Sequence, residues 1–346
     1  MAAYISFQPS DYFTSQIYTG DGGSQALTGF GFQPDLSMLK NRTDGSTSLP
    51  AVNSVVGNTK YNYTDSAATL GTITYLDFDS DGITVENTAI SNESGKNYAS
   101  WHWLGGTTTG IATNGSTTIT PSAYSFNQTS GTSILQYTGT GVSGEKVAHG
   151  LGAVPQLIIT KNHDAADAWS VFNEVYGSTK AIELNNSAGL LTASGYWNDT
   201  DPDSVNFTVG NSGGVNGNTY DYTAYCFAEK KGFSKFGKYI GNDNANGTFV
   251  YTGFRPSMLV IKLSTGDGWF IYDTKRMTYN YERKTVKFND PYQEQTGTTN
   301  ENLDILSNGF KLRYNTGGTN DAADYMFWAF AEFPLVSSND VPGLAR

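Results

Sequence analysis

Gly31-Phe32-Gln33-Pro34-Asp35-Leu36-Ser37-Met38-Leu39-Lys40 is the stretch that decides the fold, because related stretches occupy residues 152–161 and 253–262. Each begins with a Gly-x-x-Pro turn, continues as an apolar run and ends on a lysine at the same distance from the proline. Proline fixes φ and has no N–H to donate, so it suits the start of a strand and not its middle. The repeated stretch therefore predicts a turn followed by a buried strand, three times along the chain.

A second shared block closes each copy. Residues 98–103, 222–227 and 325–330 carry large aromatic side chains at the first, fourth and sixth positions. Positions four and six share one face of a strand, because strand side chains alternate with a period of two. Each block therefore predicts an aromatic core strand. His102, between Trp101 and Trp103, is expected to point to the opposite face.

A third block predicts hairpins. Asp81-Gly82 in the first copy and Asn308-Gly309 in the third precede alternating apolar residues, which is a strong hairpin signal. The second copy has Val205-Asn206 at this place and lacks the glycine.

These blocks predict an all-β chain of three tandem, diverged β-sandwich repeats, jelly-roll-like and about 100 residues each. Residues 106–130 are rich in Thr, Ser and Gly and are expected to form a flexible or edge-lying connector. The predicted boundaries are 1–105 for the first repeat with an N-terminal arm, 106–130 for the connector, 131–231 and 232–334 for the other repeats, and 335–346 for a C-terminal arm.

The composition indicates which partners the protein can bind and in which compartment it folds. The formal net charge of −11 argues against a nucleic-acid partner, because neutralising phosphates needs a basic surface. The single cysteine, Cys226, excludes an intrachain disulfide and is expected to be a buried small hydrophobe. No leader or membrane-spanning run is visible, so we expect folding in a cytoplasm and no membrane insertion.

The motif nearest to a metal site is Asp77-Phe78-Asp79-Ser80-Asp81-Gly82. It matches the first half of a calcium loop, but position twelve would be Thr88, where a bidentate Glu is needed. The third repeat keeps the turn and lacks the acids, which favours a hairpin turn. Asp77, Asp79 and Asp81 stay weak calcium candidates.

The second repeat contains an acidic loop, Trp197-Asn198-Asp199-Thr200-Asp201-Pro202-Asp203. A surface loop rich in Asx turns is the favoured interpretation. The alternatives are a carboxylate pair that hydrolyses glycosides, with Asp199, Asp201 and Asp203 as candidates, and a weak glycan site in which Trp197 stacks on a sugar while Asn198 and Asp199 bind its hydroxyl groups.

The histidines do not form a catalytic pattern. His102, His149 and His163 share no metal-ligand spacing, and the chain has no Gly-x-Ser-x-Gly nucleophile elbow. We therefore predict no catalytic residues, no cofactor and no enzymatic activity.

Six blocks in order resemble a repeat family of tailed bacteriophages, common in phages of marine bacteria and cyanobacteria. The resemblance covers the chain from about Tyr18 to Phe333. It implies a virion structural protein or tail fibre and brings no catalytic residues. The blocks are Tyr-Thr-Gly (18–20), Gly-Phe-Gln-Pro-Asp (31–35), Leu-Lys-Asn-Arg (39–42), Tyr-Trp-Asn-Asp-Thr (196–200), Thr-Ala-Tyr-Cys-Phe-Ala-Glu (223–229) and Gly-Phe-Ser-Lys-Phe-Gly (232–237).

The expected function is therefore a non-enzymatic virion component, in the tail or a tail fibre, that acts in assembly or host attachment. Its expected partners are other virion proteins and further copies of itself, often as a trimer, with host-surface glycan as an additional ligand. The alternatives are a capsid decoration protein, a host-glycan-binding module and a polysaccharide depolymerase.

Overall fold

The computed structural model describes residues 7–72, 74–281, 284–296, 301–315 and 317–333. Within them the chain is all-β, with antiparallel sheets grouped in three regions, as the sequence predicts. The predicted C-terminal arm, 335–346, and the start of the N-terminal arm lie outside the described residues. No helix in the described ranges is both long and apolar enough to cross a bilayer.

The first repeat has a large sheet in the order β1-β9-β3-β4-β5-β6 and a small sheet in the order β2-β8-β7. A 3₁₀ helix, Pro9–Asp11, precedes them. The strands are β1 (Phe13–Thr19), β2 (Gln25–Thr28), β3 (Leu36–Asn41), β4 (Pro50–Asn53), β5 (Lys60–Tyr63), β6 (Gly71–Thr72), β7 (Leu76–Asp79), β8 (Gly82–Val85) and β9 (Asn97–Trp103).

The second repeat follows the same plan. Its large sheet has the order β10-β11-β18-β13-β14-β15-β16, and β12 pairs with β17 in the small sheet. The elements are β10 (Ala123–Asn127), β11 (Thr132–Thr138), β12 (Glu145–Ala148), β13 (Leu157–Asn162), β14 (Ser170–Asn173), β15 (Lys180–Glu183), β16 (Leu191–Thr192), α1 (Ser194–Trp197), β17 (Asn206–Val209), α2 (Gly213–Asn216) and β18 (Asp221–Phe227). The stretch predicted to be a connector thus contains β10.

The third repeat has a large sheet in the order β19-β26-β21-β22-β23 and a small sheet in the order β20-β25-β24. The strands are β19 (Ser234–Ile240), β20 (Phe249–Tyr251), β21 (Met258–Leu263), β22 (Trp269–Asp273), β23 (Val286–Lys287), β24 (Leu303–Leu306), β25 (Gly309–Leu312) and β26 (Asp324–Phe330). The turn-and-strand stretch becomes β3, β13 and β21, and the aromatic block becomes β9, β18 and β26.

The predicted hairpins form in the first and third repeats. Asp79 pairs with Gly82, and Leu306 pairs with Gly309. A Cβ at Gly82 would collide with the Leu27 carbonyl oxygen of the neighbouring strand, which explains why glycine is needed there. In the second repeat, which lacks the glycine, β17 pairs only with β12 among the named strands.

Each repeat has its own apolar core between its large and small sheets. In the second repeat, for example, Ile158 and Phe172 of the large sheet share a buried cluster with Phe207 of the small sheet. The other two repeats have the equivalent cluster. His102 packs on Phe30 in the core of the first repeat, so it points away from Trp101 and Trp103, as predicted.

A further core is shared by all three repeats. The aromatic residues at the sixth position of the three closing blocks lie at the ends of β9, β18 and β26. They are Trp103, Phe227 and Phe330, and they meet in a triangle. Their ring centroids are 6.4 Å apart for Trp103 and Phe227, 5.5 Å for Trp103 and Phe330, and 5.6 Å for Phe227 and Phe330. The large sheets therefore face one another around a common aromatic centre.

The repeats contact one another in a closed ring. The N–H of Leu70 in the first repeat donates to the His163 carbonyl of the second at 3.0 Å, and Leu190 of the second donates to Ser264 of the third at 2.8 Å. The N–H of Glu294 then donates back to Arg42 of the first repeat at 3.2 Å. Each acceptor lies two residues after the repeated lysine. The three contacts are therefore equivalent, and the chain has a threefold pseudo-symmetry of its own.

Candidate functional site

The three repeated lysines are buried where neighbouring repeats meet. Lys40, Lys161 and Lys262 each have no exposed surface. Lys40 Nζ donates to the carbonyl oxygens of Thr47 at 2.8 Å and of Asp290, in the third repeat, at 3.2 Å.

The other two lysines repeat this pattern of carbonyl acceptors. Lys161 Nζ reaches Ala67 of the first repeat at 3.1 Å and Asp167 of its own at 3.0 Å. Lys262 Nζ donates to the Asp267 carbonyl and lies 5.6 Å from the centre of the Trp269 ring. These buried cations hold loops in place and, at two interfaces, tie one repeat to the next.

Burial shifts the ionisation of these lysines. It lowers the pKa of each ammonium to about 8, because the charged form loses its hydration, and nearby carboxylates offset only part of the effect. A lysine with a lowered pKa can serve as a nucleophile. Here the amines are enclosed by carbonyl oxygens, which favours a structural role.

The Tyr-x-Gly sequence that opens each repeat is also structural. Its tyrosine stacks on the first aromatic residue of the closing strand, with ring centroids 5.0 Å apart for Tyr18 and Tyr98. The hydroxyl of Tyr18 donates to the Ser91 carbonyl at 2.6 Å. The equivalent stacks in the other repeats join Tyr137 to Tyr222 at 5.1 Å and Tyr239 to Tyr325 at 5.0 Å.

Among the calcium candidates, two carboxylates bind groups around the first-repeat hairpin. Asp79 accepts from the Thr84 hydroxyl at 2.7 Å. Asp81 accepts from the N–H of Gly31 at 2.7 Å and of Gly29 at 3.1 Å, so it ties the hairpin to the preceding turn.

Asp77, the remaining calcium candidate, accepts from the Asn58 side chain. In the described ranges no three His, Cys, Asp or Glu side chains are grouped as a metal site. The pairing of β7 with β8 forms the hairpin that the favoured interpretation predicts.

The glycan candidate Trp197 lies inside the protein. Its side chain is 1% exposed and packs edge-on against Phe172 at 5.8 Å. The ring cannot stack on a sugar in this arrangement, so that interpretation is wrong for Trp197. The reason is α1, a helical turn without a recognisable sequence signal, which places Trp197 in the core.

The neighbours of Trp197 adopt a tight turn. Asn198 and Asp199 both have positive φ, near 50°, which is a left-handed conformation that Asn and Asp tolerate. Asn198 accepts from Ser143 at 3.0 Å, and Asp203 accepts from the N–H groups of Val205 and Asn206 at 2.7 Å. These are the contacts of an Asx-rich loop, as the favoured interpretation predicts.

The histidines are buried and bonded within the fold. His102 lies between the hydroxyls of Ser37 and Ser100, at 2.8 Å from each, and burial lowers its pKa to about 3. His163 bonds Thr223 at 2.8 Å and has its pKa lowered to about 4, again by burial. His149 bonds the Asp203 carbonyl at 3.0 Å, and burial lowers its pKa. Cys226 is buried, as predicted.

An ionic cluster that no sequence motif predicts lies between the first and third repeats. Glu294, in the third repeat, receives two hydrogen bonds of 2.9 Å from Arg42 of the first repeat. Arg276 also reaches Glu294, at 3.4 Å, and is paired with Asp273. Its guanidinium lies 5.8 Å from the centre of the Trp101 ring. Arg42 ends the Leu-Lys-Asn-Arg block (39–42), but only the fold brings it to Glu294, which lies 252 positions further along the chain.

The central space offers no ligand site. An apolar cavity of about 20 Å³ lies in the shared core, lined by residues such as Leu36, Leu157 and Met258. It is too small for a ligand larger than water and has no polar group to orient one. The repeated lysines, the histidines and Asp81 therefore build contacts between strands, turns and repeats.

Comparison with known proteins identifies one family. A search of curated proteins and a search of solved structures each found no match. Residues 8–334 match the family described as "Domain of unknown function (DUF7483)", which covers nearly the whole chain. The chain therefore belongs to the DUF7483 family.

Proposed function

We propose that this chain is a non-enzymatic structural protein of a bacteriophage virion, located in the tail or a tail fibre, and that it acts by contact in assembly or host attachment. The observation that carries the proposal is the closed ring of three repeats around one aromatic centre. The three repeated lysines and the three histidines are buried and hydrogen-bonded within that ring. The resemblance of six sequence blocks to tailed-phage proteins supplies the setting.

The buried polar groups support a role in which rigidity matters more than reactivity. A hydrogen-bonded buried lysine or histidine fixes the arrangement of the strands around it, because leaving its partner unpaired costs about 1–3 kcal/mol. Such ties occur in each repeat and, for Lys40 and Lys161, between repeats. A particle component that must keep its shape outside the cell benefits from them.

Two finer points belong to the same proposal. The nested pairing of β1 with β9 and of β2 with β8 supports a jelly-roll-like winding of each repeat. Assembly of several copies into a symmetric oligomer, often a trimer, stays part of the proposal. The chain already carries a threefold arrangement of its own, so a copy count from light scattering on the purified protein is needed to test this point.

Capsid decoration is the second candidate, and one observation favours it. A single chain with threefold pseudo-symmetry can sit on a threefold axis of a shell and present similar surfaces to the surrounding subunits. The pseudo-symmetry does not identify the protein that this chain contacts in the particle. The tail remains the first choice because of the sequence resemblance.

Labelling of purified phage particles tests the proposal. An antibody against the chain, carrying gold and viewed by electron microscopy, is expected to mark the tail. Label on the shell would overturn the tail assignment in favour of decoration. Particles that lack the chain in quantitative mass spectrometry would overturn the virion role. Release of new reducing ends from host-surface polysaccharide by the purified protein would contradict the non-enzymatic assignment.

A further inference from the structure

The edges of the second repeat are covered by the chain's own connector. Strand β10 pairs along the outer side of β11 in the large sheet. Just before it, Ile119 forms a parallel bridge to Val147 of β12 in the small sheet, and its N–H donates to the Lys146 carbonyl at 2.9 Å. Ile119 is itself buried against the core of the repeat. One extended segment, residues 117–127, therefore completes both sheets on this side.

The same side of the third repeat is open among the described residues. By the repeat alignment, β19 corresponds to β11 and β20 to β12. Among the named strands of the described residues, β19 pairs only with β26 and β20 only with β25. At the start of β19, Ser234 forms an isolated bridge to Lys230, so the open part begins after Ser234. We call this side, formed by β19 and β20, the open edge of the third repeat. The join from the second repeat is too short to supply a covering segment, because β18 ends at Phe227 and β19 begins at Ser234.

Within the described residues, three backbone N–H groups of β19 have no hydrogen-bond partner along this edge. The N–H of Gly241 donates to the Ala323 carbonyl, and the N–H of Ala331 donates to the Phe233 carbonyl. Because hydrogen-bonded residues alternate along an antiparallel pair, the odd-numbered residues of β19 are the ones that bond to β26. The N–H groups of Phe236, Lys238 and Ile240 therefore point away from β26. An edge with such groups is a template for an added strand.

Large apolar side chains flank the open edge. Phe249 and Tyr251 project from the outer face of β20 and are 45% and 57% exposed, while Val250 between them is buried in the core. Ile240, at the end of β19, is 65% exposed. The first repeat has Ala26 and Thr28 at the places of Phe249 and Tyr251. Isolated exposed apolar residues are normal on a surface, but here they lie on strands to which the described part of the chain adds no outer strand.

We propose that the open edge of the third repeat binds an extended, uncharged segment of another protein chain, which adds as a strand beside β19 and β20. The connector shows the chemistry of such an occupant. Residues 117–127 read Thr-Thr-Ile-Thr-Pro-Ser-Ala-Tyr-Ser-Phe-Asn, without a charged side chain and with apolar residues at intervals. An added strand of this kind gains main-chain hydrogen bonds and places its side chains against Phe249 and Tyr251.

A second copy of this chain is a poorer occupant. Centred pairing of two β19 strands edge to edge would bring Lys238 of both copies close together, and like charges on adjacent strands are unfavourable. Lysine on an edge strand is a known protection against self-pairing. The inference rests on the third repeat alone, so it holds or fails independently of a place in the virion.

Binding of a synthetic peptide tests the inference. The probe is a fluorescent peptide with the sequence of residues 117–127, titrated against the full chain and followed by fluorescence anisotropy. Saturable, one-to-one binding is expected. The double variant Phe249→Ala/Tyr251→Thr, which installs the residues of the first repeat, should weaken binding about tenfold, since each aromatic cross-strand contact is modest. The matched control is Tyr292→Thr, at a tyrosine that is 61% exposed elsewhere in the repeat.

Amide hydrogen exchange distinguishes an added strand from a loose surface contact, because only strand pairing protects backbone N–H groups. The peptide should slow exchange of the amides of Phe236, Lys238 and Ile240 in β19. Circular dichroism melts establish that each variant is folded. No saturable binding to the wild type, equal loss in the Tyr292→Thr control, or protection confined to β11 of the second repeat would overturn the inference. Dimerisation of the wild type that is abolished by the double variant would also overturn it, because the occupant would then be a second copy.

Discussion

Replacement of Phe330 by alanine should weaken all three repeats at once. Phe330 is 3% exposed and lies in the shared core. Its ring centroid is 5.5 Å from that of Trp103, 5.6 Å from that of Phe227 and 5.7 Å from that of Phe236, so it touches rings of every repeat. Removing a buried phenylalanine side chain costs about 3–5 kcal/mol through lost burial and the remaining cavity. We expect the upper part of that range, because several aromatic pairs are lost together.

Urea unfolding measures this cost. Tryptophan fluorescence and far-ultraviolet circular dichroism should report one coincident transition, displaced to lower urea in the variant. The matched control is Phe249→Ala in the same repeat, where the half-exposed ring should cost less than about 1 kcal/mol. A cost below about 1 kcal/mol for Phe330→Ala, or a transition in which only one third of the strand signal is lost, would refute the shared core.

Three further predictions concern the buried ionisable groups and the first-repeat hairpin. The free energy of unfolding should rise between pH 8 and 9.5 by about 2 kcal/mol for each repeated lysine. The cause is that the folded lysines lose their protons near pH 8, while the unfolded ones keep them to about 10.5. Urea titrations measure the rise, and the variant Lys262→Met should show about two thirds of the wild-type value. The free energy of unfolding should fall below pH 6.5, because the histidines of the unfolded state take up protons there while His102 in the folded state resists protonation down to about pH 3. The variant His102→Gln should make this fall less steep. An unchanged slope would contradict the burial of His102 as a neutral side chain. The variant Asp81→Ala should lose about 1 kcal/mol of stability, because it removes the acceptor for two backbone N–H groups. Calcium should leave the Tm of the wild type unchanged, and a rise in Tm with calcium would support a calcium site at this hairpin.

The repeated strands and their faces could be predicted from sequence because they depend on local rules. Proline before an apolar run marks the start of β3, β13 and β21, and Asp-Gly or Asn-Gly marks the hairpins. The period of two also placed Trp101 and Trp103 on one face and His102 on the other. These signals lie within a few residues of the structure that they specify.

The contacts between repeats could not be predicted in the same way. The pairing of Arg42 with Glu294 depends on the closure of the ring, and no local pattern encodes it. The burial of Lys40 could not be predicted either, because a lysine at the end of an apolar strand is usually exposed. Trp197 was misplaced because one helical turn, α1, moves it from the expected surface loop into the core. Tertiary packing overrides local propensity at all three positions.

Native-state hydrogen exchange tests the central claim of three repeats closed around one core most directly. The measurement compares the slowest-exchanging amides of β9, β18 and β26, the strands that carry the central aromatic triangle. We expect one common free energy of opening for the three strands, equal to that of global unfolding. Three separate values, with one strand opening while the others stay protected, would show that the repeats are independent domains and that the ring is not a single cooperative unit.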